Sequence, residues 1–198
     1  MKKNKFIILV FWFITYSTFV LANDSFEEWK INFKNYARDQ GISLITLNKL
    51  IDNSEFLPDV IKYDRYQPEF YEDTKTYILK RTSNKKLTIG NKIYKKNINK
   101  INLISNKFNV DKNLLLSLMG IETNFGNYLG KMDIISSLAT LSFDKRRSDF
   151  FTSELITLLK LVDNKVLDPN TLYGSWAGAF GNFQFMPSTI KNFAIDFD

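Results

Sequence analysis

The chain of 198 residues contains 27 lysines and arginines against 21 aspartates and glutamates, a formal net charge of +6. It has no cysteine and no histidine, which excludes disulfide bonds, zinc–thiolate sites, histidine-ligated metals and the Ser-His-Asp and Cys-His classes of enzyme. Acid–base chemistry would fall to Asp, Glu, Lys or Tyr. The hydrophobic fraction of 44% and the charged fraction of 24% are typical of a globular chain with about one domain.

The first 22 residues have the pattern of a secretory signal peptide. Three lysines among the first five residues precede an apolar run over 6–22, which ends at Ala22. We therefore expect cleavage after Ala22, a periplasmic protein and a single mature domain over 23–198. The alternative is an uncleaved, membrane-associated form, although the run is shorter than the about 20 residues of a spanning helix.

Helical periodicity predicts that the mature chain is all-α. Phe26, Trp29 and Phe33 recur at helical spacing, Gly41 ends that helix, and Ser43 can cap the next one. Prolines mark an irregular stretch over about 53–70. A further helix passes through Tyr77.

The second half continues the helical pattern. Gly90 is expected to break the helix of Tyr77 or its trailing loop, and another helix spans 94–108. Asp111 can cap a helix over 114–122, a clear amphipathic helix covers 150–162, and a last one follows Pro187. We find no alternating apolar and polar run that would predict a strand.

The segment 75–112 is strongly basic, with eleven lysines or arginines and one acid, Asp111. Export argues against nucleic acid as its partner. One interpretation is a solvated face of a lysine-rich chain. The other is attraction to an anionic polymer such as a cell wall.

Glu122 is the acidic residue that the pattern singles out. Leu115, Leu118 and Met119 share its helix face, and an apolar face is expected to point inward. Burial raises the pKa of a carboxyl group, and a glutamic acid that stays protonated near neutral pH suits general acid catalysis. The alternative is a helix-terminal glutamate that turns to solvent or meets a lysine.

Small residues follow Glu122 at two places. Gly126 and Gly130 would end the helix and open space beside the carboxyl group. Residues 174–181 are small apart from Trp176 and Phe180, and Gln184 follows them. Small residues allow a ligand to approach the backbone, and aromatic faces pack on sugar rings; the alternative is a tight helix crossing.

These segments together resemble one family. The matching segments are KYDRYQPEF at 62–70, GIETNFG at 120–126, ATLSF at 139–143, RR at 146–147, GSWAGAFG at 174–181 and QFMPS at 184–188. In this order they resemble the lytic murein transglycosylase B family (glycoside hydrolase family 103) of the lysozyme-like superfamily. The resemblance implies a lysozyme-like helical fold.

The resemblance also implies a reaction. Such enzymes cleave the β-1,4 bond between N-acetylmuramic acid and N-acetylglucosamine in peptidoglycan, and the muramoyl 6-hydroxyl attacks its own anomeric carbon to give a 1,6-anhydro product. Glu122 would act first as acid and then as base. One carboxylate suffices because the nucleophile is intramolecular. Asp64, Asp133 and Asp144 are candidates for a second acid.

Further residues are assigned by the resemblance to binding of the glycan. Ser175 and Gln184 would hydrogen-bond the sugar near the cleavage point, and Tyr77 falls where the family has an active-site tyrosine. Arg146 and Arg147 match an arginine pair that would face lactyl or peptide carboxylates, which suits the planar guanidinium group.

Phe185 would pack against a sugar ring or in the core. The expected partner is peptidoglycan, with an association with cell-wall synthesis or membrane components as a further option, and the expected state is a monomer.

The end of the chain departs from the family. Family members continue past this point and often have a calcium-binding loop, of which Asp196 and Asp198 resemble the first positions. Two acids do not form such a site, so we expect no metal and no cofactor. The expectation is a chain that lacks the C-terminal part of the family domain.

Three other functions stay open. The first is a non-catalytic peptidoglycan-binding module, and the second is a lysozyme-type hydrolase with a second acid. The third is a serine acyl enzyme, because 83–86 and 188–191 each read S-x-x-K. No K-T-G motif accompanies them, which disfavours this class.

Overall fold

The structure is a computed structural model that describes residues 25–67 and 72–195. Its helices are α1 (25–39), α2 (Leu44–Leu50), α3 (Pro58–Arg65), α4 (Thr74–Arg81), α5 (Asn84–Lys96), α6 (Ile98–Phe108), α7 (Lys112–Thr123), α8 (Ile134–Phe143), α9 (Ser148–Asp163) and α10 (Pro187–Phe193), with a 3₁₀ turn at Pro169–Thr171. The predicted predominantly helical class is confirmed. The predicted signal peptide over 1–22, Asp196 and Asp198 lie outside the described residues.

One short sheet is present that the sequence analysis does not predict. Strand β1 (Met132–Asp133) pairs antiparallel with β2 (Tyr173–Gly174), and Met132 lies opposite Gly174. Two residues are too few to give an alternating pattern, which is why no signal exists in the sequence. The pair holds the start of α8 beside the segment that begins at residue 173.

Side chains and prolines at the helix starts explain several boundaries. Ser43 accepts a hydrogen bond from the Thr46 N–H, and Asp111 accepts two from the start of α7, so both predicted caps are confirmed. Pro187 begins α10 as predicted. The irregular stretch predicted over 53–70 is wrong for α3, because Pro58 stands at a helix start, where its missing N–H costs nothing.

The hydrophobic core is formed by residues 25–67 together with 131–195, which we call the core region. Helices α8 and α9 pack on each other at its centre, and α2, α3 and α10 pack around them. Its fully buried side chains include Phe26, Leu47, Ile51, Val60, Leu138, Leu155, Leu158 and Leu159. Burying such a side chain contributes about 1.5–3 kcal/mol, so this region carries most of the hydrophobic stabilisation.

Hydrogen bonds from α8 fasten the loop that leads into α3. The Glu55 N–H donates to the Ser136 hydroxyl at 3.1 Å, and the Leu57 N–H donates to the Thr140 hydroxyl at 3.0 Å. The predicted helix over 150–162 is confirmed as the central part of α9, which buries its apolar side as expected.

Residues 72–130 form a second region, which we call the lysine-rich lobe. It consists of α4 to α7 and contributes no residue to the described hydrophobic core cluster. Among its described apolar side chains other than alanine and glycine, Ile101 alone is buried. Exposed apolar side chains include Ile78, Leu79, Leu87, Leu103, Leu114 and Leu118.

The two regions differ in charge as well. The lysine-rich lobe contains eleven basic and four acidic residues, a formal charge of +7, whereas the core region contains thirteen of each. The charge of the described chain is therefore concentrated in the region that has the least buried surface.

The helices of the lobe differ from the prediction in two respects. The single helix predicted over 94–108 is two helices, because the chain turns at Asn97 between α5 and α6. Gly90, predicted to break a helix, lies inside α5. Its missing side chain leaves space that the Phe125 ring fills: a Cβ atom on Gly90 would lie 3.0 Å from the Phe125 Cζ.

None of the helices in the described ranges combines the length and the apolar character that crossing a membrane requires.

Candidate active site

Glu122 lies in the last turn of α7, and its side chain is exposed. The predicted burial of this residue is wrong. Leu114 and Leu118, two turns and one turn earlier on the same side, are 55% and 42% exposed. The physical reason is that α7 packs on α5 and α6, which leaves this face of the helix open in the described structure. Solvent therefore reaches the carboxyl group.

Glu122 lines a cavity of about 330 Å³ between the start of α5 and the end of α7. The other lining residues include Arg81, Ser83, Lys85, Lys86, Ile89 and Tyr128. Within the described part of the chain, Glu122 is the only carboxylate on this lining, and it faces three cations. An exposed glutamate that meets lysines is the alternative that the sequence left open.

Lys86 also connects the two helices that form this cavity. Its Nζ donates to the carbonyl oxygen of Gly120 at 2.9 Å, in the turn of α7 that precedes Glu122. The lysine thus neutralises part of the partial negative charge at the C-terminal end of α7. It also fixes the distance between α5 and the turn that carries the carboxylate.

The chain leaves α7 through three residues with positive φ. Asn124, Phe125 and Gly126 have φ values of 49°, 60° and 82°, and the Phe125 N–H donates to the Met119 carbonyl at 3.0 Å. This left-handed end turns the Phe125 ring back between α7 and α5. A Cβ atom on Gly120 would lie 2.7 Å from the Phe125 Cζ, so a side chain at this position would require the ring to shift.

Thr123 joins the end of α7 to the loop over 174–185. The residue is fully buried. Its hydroxyl lies 2.8 Å from the Asn182 carbonyl and 3.1 Å from the Met119 carbonyl, and it accepts from the Gly126 N–H at 3.0 Å. This hydroxyl, next to Glu122 in the chain, therefore links the lysine-rich lobe to the core region.

Sequence reasoning missed both Thr123 and Phe125 as parts of the site. The motif around Glu122 contains both residues, a β-branched residue with a hydroxyl group and an aromatic residue directly before a glycine. Nothing local in the sequence says which distant residues they contact. Asn182 is 59 residues away from Thr123.

The small residues over 174–181 serve close packing. A Cβ atom on Gly130 would lie 2.0 Å from the Gly174 carbonyl oxygen, and one on Gly178 would lie 2.5 Å from the Leu138 Cδ2. The loop thus lies directly against α8 and against the segment that follows Glu122. The two contacts are close packing of a loop and not the tight helix crossing that the sequence left as the alternative, because residues 174–181 are not helical.

Ser175, Gln184 and Phe185 all lie in this loop. The Ser175 hydroxyl accepts from the Ala179 N–H at 3.1 Å, which leaves its own proton available to a ligand. The Gln184 Nε2 donates to the carbonyls of Leu129 and Gly181 at 3.1 and 3.0 Å. These bonds hold the side-chain amide beside the chain that leaves the Glu122 helix.

Phe185 is 41% exposed, and its ring stacks on that of Phe183 with 5.7 Å between centroids. Its main chain exchanges two hydrogen bonds of 3.1 Å with Phe180, which closes the loop. A partly exposed, stacked ring offers a flat apolar surface at the edge of the site.

Tyr77 lies on α4 beside the cavity of Glu122. The guanidinium carbon of Arg81, which lines that cavity, is 5.0 Å from the centroid of the Tyr77 ring. The tyrosine is therefore one helical turn away from the lining residues. Its half-buried ring orients Arg81.

Arg146 and Arg147 are placed elsewhere, against α3. Both pair with the carboxylate of Asp64, which is 1% exposed: the Arg146 Nη1 is 2.8 Å from Asp64 Oδ2, and Arg147 contacts Oδ1. The Arg147 guanidinium also lies 4.9 Å from the Phe151 ring centroid. Neither arginine lines the Glu122 cavity, and each holds α3 to the start of α9.

The three other candidate acids have structural partners. Asp64 binds the two arginines, and Asp133 accepts from the Ser136 N–H at 2.6 Å as the cap of α8. Asp144 accepts two hydrogen bonds of 2.9 Å from Arg65, and this cation holds the pKa of the Asp144 carboxyl below its usual range. None of the three lines the cavity of Glu122.

The serines of the two S-x-x-K motifs also have hydrogen-bond partners within the protein. Ser83 caps α5, and the Ser188 hydroxyl donates to the buried Glu154 at 2.6 Å. Among the described residues no group of three or more Cys, His, Asp or Glu side chains is placed to hold a metal ion.

Comparison with known proteins places this chain in a family. Residues 25–198 match the family described as Transglycosylase SLT domain. The membrane-bound lytic murein transglycosylase B of Escherichia coli (strain K12) is 43% identical over 91 residues, which are 46% of this chain and 25% of that protein.

Solved structures agree with the fold. SltB3 from Pseudomonas aeruginosa, in complex with NAG-NAM-pentapeptide, matches with a TM-score of 0.83 and 30% identity over 87% of this chain and 46% of that one. The Escherichia coli lytic transglycosylase Slt35, in complex with bulgecin A, matches with a TM-score of 0.74 and 28% identity over 88% of this chain and 55% of that one. The chain spans about half the length of these solved relatives and a quarter of the curated one.

Proposed function

The chain belongs to the transglycosylase SLT domain family, and from that membership we propose that it is a lytic murein transglycosylase. The proposed reaction cleaves the β-1,4 bond between N-acetylmuramic acid and N-acetylglucosamine in peptidoglycan and gives a 1,6-anhydromuramoyl product. The observation that carries the proposal is the cavity in which Glu122 is the only carboxylate among the described lining residues. A cavity with one carboxylate suits an intramolecular nucleophile, whereas most glycosidases use two.

In the proposed mechanism, Glu122 serves as acid and then as base. Its protonated carboxyl group gives the proton to the glycosidic oxygen, so that N-acetylglucosamine leaves with a free 4-hydroxyl. The carboxylate that remains takes the proton of the muramoyl 6-hydroxyl while that oxygen bonds to the anomeric carbon. No water is consumed, and the nucleophile is held close to its target by the substrate itself.

Residues of the loop over 174–185 are proposed to bind the glycan beside Glu122. The free hydroxyl proton of Ser175 and the carbonyl oxygen of Gln184 supply a donor and an acceptor for sugar groups, and Phe185 supplies an apolar face. Thr123 supports this arrangement, because its hydroxyl holds the loop against the end of α7. Tyr77 acts through Arg81 at the opposite wall of the cavity.

Arg146 and Arg147 are proposed to contact lactyl or peptide carboxylates only with the part of each guanidinium group that Asp64 leaves free. Their side chains stay 46% and 39% exposed, which supports this contact.

We also propose the cellular setting that the sequence favours. The chain would be exported through the signal peptide over 1–22, act as a single domain over 23–198 in the periplasm, and work as a monomer on peptidoglycan strands. An uncleaved first segment would make it membrane-associated. The reaction requires no metal, cofactor or nucleic acid.

Digestion of purified peptidoglycan, followed by mass spectrometry of the products, tests the proposal. We expect muropeptides that are lighter by one water molecule than the hydrolytic products, because a 1,6-anhydro end forms without addition of water. Reducing ends would mean a lysozyme-type hydrolase and would contradict the mechanism. Retained glycan binding without any product would mean a non-catalytic binding module.

A further inference from the structure

The solvent face of α5 carries a track of four lysines. Lys85, Lys92 and Lys96 are separated by seven and four residues, and Lys95 lies three residues after Lys92, so all four project from one side of the helix. All four are exposed, whereas Ile89 and Ile93, which border the lysines on the side that turns toward α7, are partly buried. At 1.5 Å per residue the track is about 16 Å long.

The charge of this track is not neutralised within the described structure. No ion pair or hydrogen bond of the described residues involves the four ammonium groups, and residues 74–110 contain no acid. Lysines at spacings of three and four residues repel one another and destabilise a helix slightly. A partner that brings negative charge would relieve this repulsion.

The track begins at the cavity of Glu122. Lys85 lines that cavity together with Glu122 itself, and the other three lysines continue along α5 away from it. An anionic polymer that places a bond beside Glu122 would therefore extend along the track. Neighbouring charged groups of the same molecule would meet successive lysines.

We propose that this lysine track is an exosite for the carboxylates of peptidoglycan stem peptides. The proposal rests on the function proposed above, because it takes the polymer that Glu122 would cleave as the ligand. Repeated carboxylates on one polymer match four cations spread over about 16 Å. A membrane surface fits less well, because an interfacial helix exposes an apolar side beside its lysines. Here Thr88 lies between the lysines, Ile89 and Ile93 beside them are partly buried, and the exposed Leu87 projects from the opposite side of α5.

Binding to intact sacculi tests the track, with every protein carrying Glu122→Gln to prevent digestion. The track variant is K85Q/K92Q/K95Q/K96Q. The matched control, K49Q/K145Q/K165Q/K191Q, removes the same charge from exposed lysines of the core region. Thermal unfolding of both variants verifies that each is folded.

We expect the track variant to bind sacculi about tenfold more weakly at low ionic strength, since it loses four exposed ion pairs that each contribute little. The control should bind like the parent. The difference should shrink in about 0.5 M salt because screening is stronger. Glycan strands freed of their peptides by an amidase should bind both variants equally.

Three outcomes would overturn the proposal. The first is equal loss of binding in the track and control variants, which would mean a general effect of charge. The second is the same loss with peptide-free strands. The third is loss of binding to vesicles that contain anionic phospholipid with unchanged binding to sacculi, which would identify a membrane as the partner.

The same proteins with Glu122 restored distinguish this proposal from the proposed function. If anhydro products appear and the track variant binds normally, the exosite is wrong and the function stands. If no product appears while the track variant still loses binding to sacculi and not to peptide-free strands, the exosite stands and the proposed reaction is wrong.

Discussion

The core region and the lysine-rich lobe are both helical, but they differ in the burial of their apolar side chains and in their charge. The core region buries its apolar side chains between α8, α9 and their neighbours, and its charges balance. The lobe buries one apolar side chain among its described residues other than alanine and glycine, has a formal charge of +7, and holds Glu122 at an open helix end. Most of the buried apolar surface thus lies in one region, and the candidate acid–base residue lies in the other.

The largest expected effect separates chemistry from stability. Glu122→Gln should lower turnover of peptidoglycan about 100- to 10,000-fold, the usual contribution of general acid–base catalysis. Because the side chain is exposed, the unfolding temperature should stay the same. Glu28→Gln, an exposed glutamate of α1, is the control. Near-normal turnover of the Glu122 variant would remove this residue from the mechanism.

A pair of leucines compares the packing of the two regions directly. Leu155 is fully buried in α9, and Leu118 is 42% exposed in α7. Leu155→Ala should lower the free energy of unfolding by about 2–5 kcal/mol, because it leaves a cavity in the core. Leu118→Ala should cost under about 1 kcal/mol. Urea denaturation measures both, and equal costs would show that the lobe is packed as tightly as the core region.

Thr123 tests the junction between the regions. Thr123→Val keeps the shape and removes the hydroxyl, so the Asn182 carbonyl and the Gly126 N–H lose a buried partner. We expect a loss of about 1–3 kcal/mol of stability and a fall in turnover at saturating substrate, because the loop of Ser175 and Gln184 is no longer held. Thr123→Ser retains the hydroxyl and should restore both. If the serine variant lost as much stability and turnover as the valine variant, the proposed role of the Thr123 hydroxyl would be wrong.

The smallest effect concerns the ion pair of Asp144 with Arg65 in the core region. The Arg65 guanidinium lowers the pKa of the Asp144 carboxyl, so the stabilisation is present above the ordinary carboxyl pKa of about 4. It is lost as the pH falls through the lowered value. Asp144→Asn should therefore cost under about 1 kcal/mol at pH 7, and this difference should disappear at strongly acidic pH. Unfolding curves at both pH values measure it.

The sequence predicts the fold class and most helices because periodicity and caps are local signals. The amphipathic pattern of α9 and the caps at Ser43 and Asp111 are read from neighbouring residues. Gly90 is misread for the opposite reason, since its role depends on the ring of Phe125, 35 residues later in the chain. A glycine that breaks a helix and a glycine that makes room for a distant side chain cannot be distinguished from the neighbouring sequence.

The candidate site could be predicted in part for the same reason. The motif locates Glu122, but its exposure depends on what packs against α7, which no local pattern contains. Arg146 binds Asp64, which is 82 residues away in the chain. No local pattern shows this partner, so the sequence predicts a ligand site where the structure has an ion pair. The predicted roles of Ser175, Gln184, Tyr77, Phe185 and the arginines stay predictions.

The contacts between Glu55 and Ser136 and between Leu57 and Thr140 join residues 81 and 83 positions apart. In topological terms the whole lysine-rich lobe is one long loop between the two halves of the core. The entropy of closing such a loop grows slowly, by about 0.6 kcal/mol for each doubling of its length. Evolution can therefore lengthen, shorten or recharge the lobe at little thermodynamic cost to the core. The cost falls on folding speed instead, because distant contacts delay the search for the native topology.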